Sequence, residues 1–168
     1  MSRASAASAA ADSHSHSAPS ASPPRPLSCS QVEFTLSSRS RGCHLITSDV
    51  LKALRSTLAS YSCGTLHLFI QHTSASLTIN ENADSDVRAD METWLNAAVS
   101  DKTPWKHDAE GLDDMPAHVK ASVFGSSVTV PITRGTLNLG TWQGIWLGEH
   151  RDHGGARKLV ATITGATV

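Results

Sequence analysis

Residues 126–165, SSVTVPITRGTLNLGTWQGIWLGEHRDHGGARKLVATITG, decide the fold class. The stretch is β-rich, with TRG and HGG as turn signals and with Leu159, Ala161 and Ile163 alternating along a final strand. Within GTWQGIWLGE, Trp142 and Trp146 fall on one strand face with Gly140, Gly144 and Gly148. Bulky and absent side chains on one face suit close packing against another sheet or subunit, or a platform for a ring.

Working outward, Val32, Phe34 and Leu36 alternate in QVEFTLS, and a hairpin is expected to turn near SRSRG into CHLIT. Val50, Leu51, Leu54 and Leu58 follow Thr47 or Ser48 at helical spacing. TLHLFIQHTSASLTINE reads as two strands meeting at a polar bend, His72 to Ser76. A second long helix carries Val87, Met91, Trp94, Leu95 and Ala98, capped by Asp84 or Ser85, and a short one runs from Pro116 to Gly125. The class is α+β, with mainly antiparallel strands, two long helices and one short helix.

The 168 residues are 39% hydrophobic and 17% charged, which suits one domain. A net charge of -1 supplies no footprint for nucleic acid or for an anionic membrane, and no run approaches the roughly 20 apolar residues of a spanning helix. Cys29, Cys43 and Cys63 have no CxxC spacing, which fits a reducing compartment. Residues 1–30 are Ser, Ala and Pro and are expected to be a disordered tail, with residues 31–168 as the domain. The expected location is cytoplasmic, the alternative being an organelle if the tail is a transit peptide.

Polar insertions at the strand ends carry the candidate chemistry. His72, His107, His118, His150 and His153, with Glu110, Asp113 and Asp114, supply imidazole and carboxylate ligands for a divalent ion. His150 and His153 reach one ion only if the chain turns between them. Arg151 and Arg157, the hydroxyls of Thr73, Ser74 and Ser76, and the amides near Gly154 and Gly155 equally suit an oxyanion or a phosphate. Ser74 and Ser76 near His72 invite a hydrolase reading, but there is no GxSxG elbow. Cys63 reads as a packed residue.

Three long motifs, FIQHTSASLTINENADSDVRADMETWLN, HDAEGLDDMPAHVKASVFGSSVTVPI and LGTWQGIWLGEHRDHGGARKLV, resemble the YjbQ family, also called the secondary thiamine-phosphate synthase family. The resemblance spans about residues 31 to 165. It implies two packed β-sheets, a homotrimer, and a pocket on His72, Asn82, Asp84, His107, Glu110, Asp113, Asp114, His118, Glu149, His150 and Arg151. The implied activity is a weak coupling of hydroxymethylpyrimidine diphosphate to thiazole phosphate with release of pyrophosphate. The roles that follow are catalytic for His118, His150, Glu149 and Asp114, and substrate-binding for His72, Thr73, Asn82, Arg151 and Arg157. His107, His118, His150 and Asp113 would hold Mg²⁺ or Zn²⁺. The alternative is a trimer that holds a metal or a small phosphorylated metabolite without turning it over. Ser85 stands where family members often have Pro, which concerns only the helix start.

Overall fold

The computed structural model describes residues 26–168. In chain order the elements are β1 (Leu27–Leu36), β2 (Gly42–Leu45), α1 (Thr47–Leu58), β3 (Tyr61–Ile70), β4 (Ala75–Glu81), α2 (Ser85–Ala98), α3 (Asp114–Phe124), β5 (Ser127–Thr133), β6 (Thr136–Leu137), β7 (Gln143–Glu149) and β8 (Arg157–Thr167). The strands form two antiparallel sheets, β1-β8-β3-β5-β6 and β2-β7-β4. Strand β1 begins four residues before the boundary read from composition, because Leu27–Ser30 pair with Ile163–Ala166 of β8. The rest of the tail reading, residues 1–25, lies outside the described residues.

Period-2 alternation sends Leu66, Leu68 and Ile70 of β3, Leu159, Ala161 and Ile163 of β8, and Val130 and Ile132 of β5 to one face of the larger sheet. They meet Ala75 and Leu77 of β4, and Ile145 and Leu147 of β7, in one core that also receives Val50, Leu54 and Leu58 of α1. Each valine, leucine or isoleucine among them contributes about 1.5–3 kcal/mol by leaving water. The other face of the three-stranded sheet is covered by α2 and α3, so that Gly144–Glu149 of β7 are buried throughout.

The expected hairpin between residues 31 and 47 does not form. Strand β1 pairs with β8 and β2 pairs with β7, so residues 37–41 carry the chain from one sheet to the other. Residues 71–74 do the same between β3 and β4, and residues 150–156 between β7 and β8. Alternation states that a strand has one buried face and not which strand it pairs with, so a short polar link reads alike as a turn or as a crossing. The registers place all three crossings at one rim, since Leu36 and Ile70 both lie beside the start of β8, and Gly42 and Ala75 both face Glu149. The α3–β5 junction, Gly125 and Ser126, joins that rim, with Gly125 donating to Ala121 and accepting from Leu77.

The tryptophan pair also separates. Trp146 is fully buried, its indole N–H donating to Glu81 O at 2.9 Å, with the Arg88 guanidinium 6.0 Å above the ring. Trp142 precedes β7 in a turn and is 65% exposed, so it shares no strand face with Trp146. Helix α2 starts as read, with Asp84 accepting from the Asp86 amide at 2.8 Å. Helix α1 has no side-chain cap, because its N-cap position falls on Ile46 and not on Thr47 or Ser48; the Thr47 hydroxyl accepts from the Ile145 amide at 2.9 Å.

His150 fastens α3 to the small sheet. It is 1% exposed, its ring meets Phe124 edge-on, and its Nε2 lies 2.8 Å from Ser76 Oγ. Burial, with the positive charges of Lys120, Arg41 and Arg157 nearby, pushes its pKa down to about 3, so the folded protein holds the neutral ring.

Two outcomes follow. Gly165 faces Gly64 across the β3–β8 pair, and a Cβ on Gly165 would lie 2.2 Å from the Cys63 carbonyl oxygen, so Gly165→Ala is expected to lower stability by about 1–3 kcal/mol in urea denaturation. For His150, the unfolded chain binds the extra proton below about pH 6.5 while the folded one does not until about pH 3. Stability is therefore lost as pH falls from 6.5, by roughly 1.5 kcal/mol between pH 6.5 and 5, and His150→Gln is expected to remove that part of the slope.

Candidate functional site

Asp114 opens α3 and His118 lies one turn later, so both stand on one face of the helix. Residues 99–113 return beside that turn and bring His107 to them. His107 Nε2 lies 2.9 Å, and His118 Nε2 3.5 Å, from Asp114 Oδ2, and the three ligand atoms are all within 4.8 Å of one another. The two imidazole rings are 5.4 Å apart.

The His118 ring is held from the other side. Its Nδ1 lies 3.2 Å from the Thr73 carbonyl and 3.1 Å from Ser74 Oγ, so Nε2 is the nitrogen left for the cluster. It faces Asp114 Oδ2, a buried acceptor that receives no hydrogen bond although His107 Nε2 is 2.9 Å away. Leaving such an oxygen unsatisfied costs on the order of 1–3 kcal/mol. Ligands at about 2.0–2.2 Å from one ion stand roughly 3–3.5 Å from each other, the range of both nitrogen–oxygen distances here, so these three side chains could hold a divalent cation, and two nitrogens with one oxygen suit Zn²⁺ better than Mg²⁺.

The neighbouring acids and bases are committed to each other. Arg151 donates from Nε to Asp113 Oδ2 at 2.9 Å, from Nη1 to Asp114 Oδ1, and from Nη2 to the Glu110 carbonyl at 2.7 Å. Burial raises the Asp113 pKa, but the Asp152 amide at 3.0 Å and the Arg151 guanidinium outweigh it and hold the carboxyl below its ordinary value. Arg157 and Glu149, 3% and 0% exposed, form a two-bond pair at 2.7 and 2.8 Å, and Glu149 also accepts from the Arg151 amide at 3.1 Å. Gly154 lies against this pair, where a Cβ would come within 2.3 Å of Arg157 Nη2.

A cavity of about 530 Å³ opens beside the cluster, lined by His72, Thr73, Ala75, His118, Ala121, Ser122, Gly125 and Ser126. His72 Nδ1 accepts from the Ser74 amide at 3.0 Å, and burial, then the charge of Arg157, lowers its pKa, so the neutral ring keeps its donor on Nε2. A second cavity of about 770 Å³ lies on the far side of His107, with Trp105, Leu112, Asp108 and Asp113 in its wall.

The structure thus brings together His72, Thr73, His107, Asp114 and His118. Asp113 and Arg151 lie next to the cluster but bind each other, and Glu149, His150 and Arg157 are buried beneath it. Asn82 is at the opposite end of β4, roughly 20 Å of strand away, donating to the carbonyls of Thr141 and Gln143. Neither serine of the polar bend partners His72 through its side chain: Ser74 meets His118 and Ser76 meets His150. Ser122 and Ser126 were not singled out from sequence. Helix spacing held the signal, since residues 114, 118 and 122 recur at four, but only with α3 begun at Asp114 and not at Pro116.

Comparison with known proteins agrees with this architecture. The family model described as "UPF0047 protein YjbQ-like" matches residues 32–166. The YjbQ proteins of Escherichia coli O157:H7 and Salmonella typhimurium are 51% and 55% identical over 135 residues, covering 80% of this chain and 97% of theirs. A crystal structure of a YjbQ/UPF0047 family protein from Clostridium acetobutylicum superposes with a TM-score of 0.70 at 38% identity, covering 79% of this chain and 98% of that one. A Sulfolobus solfataricus structure, described as a YbjQ-like protein of unknown function, shares the fold with a TM-score of 0.74 at 23% identity, covering 83% and 99%. With its sheets, its rim and nearly all of its described residues matched, the chain belongs to the UPF0047 YjbQ-like family.

Proposed function

We propose that this protein holds a divalent cation, Zn²⁺ before Mg²⁺, on His107, Asp114 and His118, and binds a small phosphorylated metabolite or other oxyanion beside it. The observation that carries the reading is the bare, buried Asp114 oxygen beside two imidazole nitrogens at the mouth of a cavity. A bound cation would supply Lewis-acid charge to phosphate oxygens. In the cavity the His72 Nε2–H and the hydroxyls of Thr73 and Ser126 would orient the ligand, while Thr73 O and Ser74 keep the His118 ring in place and Ser122 donates to the His118 carbonyl. The specific reaction proposed is coupling of hydroxymethylpyrimidine diphosphate to thiazole phosphate, in a cytoplasmic homotrimer.

A second reading, a metal- and metabolite-holding protein without turnover, is favoured by one feature. The guanidinium groups of Arg151 and Arg157 are already paired with carboxylates, as are those of Arg39 and Arg41 in the first crossing, so among the described residues no arginine of this rim is left unpaired to meet a departing pyrophosphate. Among the described residues no helix is long and apolar enough to cross a membrane.

Calorimetric titration of metal-stripped protein separates these readings. Zn²⁺ is expected to bind once per chain, and His118→Ala and Asp114→Asn are each expected to weaken it by about 100-fold or more. Thiazole phosphate should bind only after the metal. Thiamine phosphate formed by wild type and lost in His118→Ala supports coupling; metal-dependent binding without product supports the holding role. Absence of Zn²⁺ binding by folded wild type would sink both.

A further inference from the structure

Arg151 is the side chain that ties the cluster to the rest of the rim, and neither cavity beside the cluster includes it in its wall. Its three nitrogens reach three different acceptors. Nη1 takes Asp114 Oδ1, which leaves Oδ2 as the oxygen turned toward His107 and His118. Nε takes Asp113 Oδ2, and Nη2 takes the Glu110 carbonyl at 2.7 Å, so the same group grips the segment that follows His107 on the loop. The Arg151 backbone is itself anchored, its amide donating to Glu149 Oε1, and Glu149 is buried against Arg157. A chain of bonds therefore runs from a buried ion pair beneath the rim to Asp114 on the helix and to Glu110 on the loop that carries His107.

We propose that Arg151 is the positioning residue of the cation site: its fork sets the Asp114 carboxylate and the His107 loop, and it does not contact the ligand. The inference rests on the metal reading above. It differs from a phosphate clamp, which would need a free edge of the guanidinium, and from a surface ion pair, which would leave the cluster unmoved. Lysine cannot reproduce it, because one ammonium on a flexible stem does not span three acceptors held at fixed angles.

The test uses the full chain, metal-stripped, with Zn²⁺ affinity read by competition against a chromophoric chelator for wild type, Arg151→Met and Arg151→Lys. Folding is monitored by circular dichroism and by the melting temperature of the metal-free protein. Arg151→Met is expected to weaken Zn²⁺ by about 10–100-fold while remaining folded, and Arg151→Lys to recover part of that loss. Metal-free Arg151→Met is also expected to be cut faster by trypsin after Lys102 and Lys106, in the freed loop. A purely structural role would lower the melting temperature and leave the Zn²⁺ affinity of the folded protein unchanged, which overturns the proposal. So does unchanged Zn²⁺ affinity with weakened binding of inorganic phosphate to the loaded protein, the signature of a clamp. If Arg151→Met does not fold, Arg151→Lys against wild type carries the same comparison. Folded wild type that binds no Zn²⁺ removes the metal reading and this inference with it; tight binding by wild type and by both variants removes the inference alone.

Discussion

Two sheets that share one core must be joined by chain that leaves it, and the polar groups of that chain cannot be buried unpaired. In this fold the β1–β2, β3–β4 and β7–β8 connections all leave at the same rim. The constraint sorts the sequence: apolar residues alternate through the strands, and His72 to Ser74 and His150 to Gly155 are set side by side although nearly eighty residues separate them. The start of α3 closes over this rim through β4 and adds Asp114 and His118. The candidate site is thus a consequence of how the sandwich is wired, and the crossings bring its parts together without a dedicated domain.

Within the rim, burial decides what each charged group can do. Asp114 is 1% exposed, Glu149 0% and Arg157 3%. Charges so far from water persist only when paired and hydrogen-bonded, and removing one partner leaves the other stranded at a cost of about 3–5 kcal/mol. That requirement explains why the two arginines are held by carboxylates, and it gives Gly154 its role, since no larger residue fits over the Arg157–Glu149 pair. It also singles out Asp114 Oδ2, the carboxylate oxygen of this cluster that the pairing leaves bare.

Much of this was legible in the sequence, for reasons that also mark where legibility stops. Alternation through Leu66, Leu68 and Ile70, and through Leu159, Ala161 and Ile163, reports burial on one face, and burial is what the sequence encodes most directly. The partner of a strand is not so encoded, which is why residues 31–47 read as a hairpin when they cross between sheets. Side-chain type likewise names a capacity and not a partner. Arg151 and Arg157 carry the forks that bind phosphate, and the same forks bind carboxylates; only the fold shows that Asp113, Asp114 and Glu149 reach them first. His150 is another such case, a histidine in a charged stretch that the burial of β7 draws into the interior.

The charges of the rim bear on what the proposed reading allows. Asp113 and Asp114 face Arg151, and Glu149 faces Arg157, so the buried carboxylates there are already matched by guanidinium groups. Glu110 is exposed and screened by water. At His72, in the wall of the cavity, the charge of Arg157 acts more strongly than that of Glu149. On the proposed reading, a divalent cation between Asp114 and the two imidazoles would add positive charge beside that cavity, and an anionic ligand would bind more tightly for it. The cation would then be a partner of the anionic ligand and not a competitor of it.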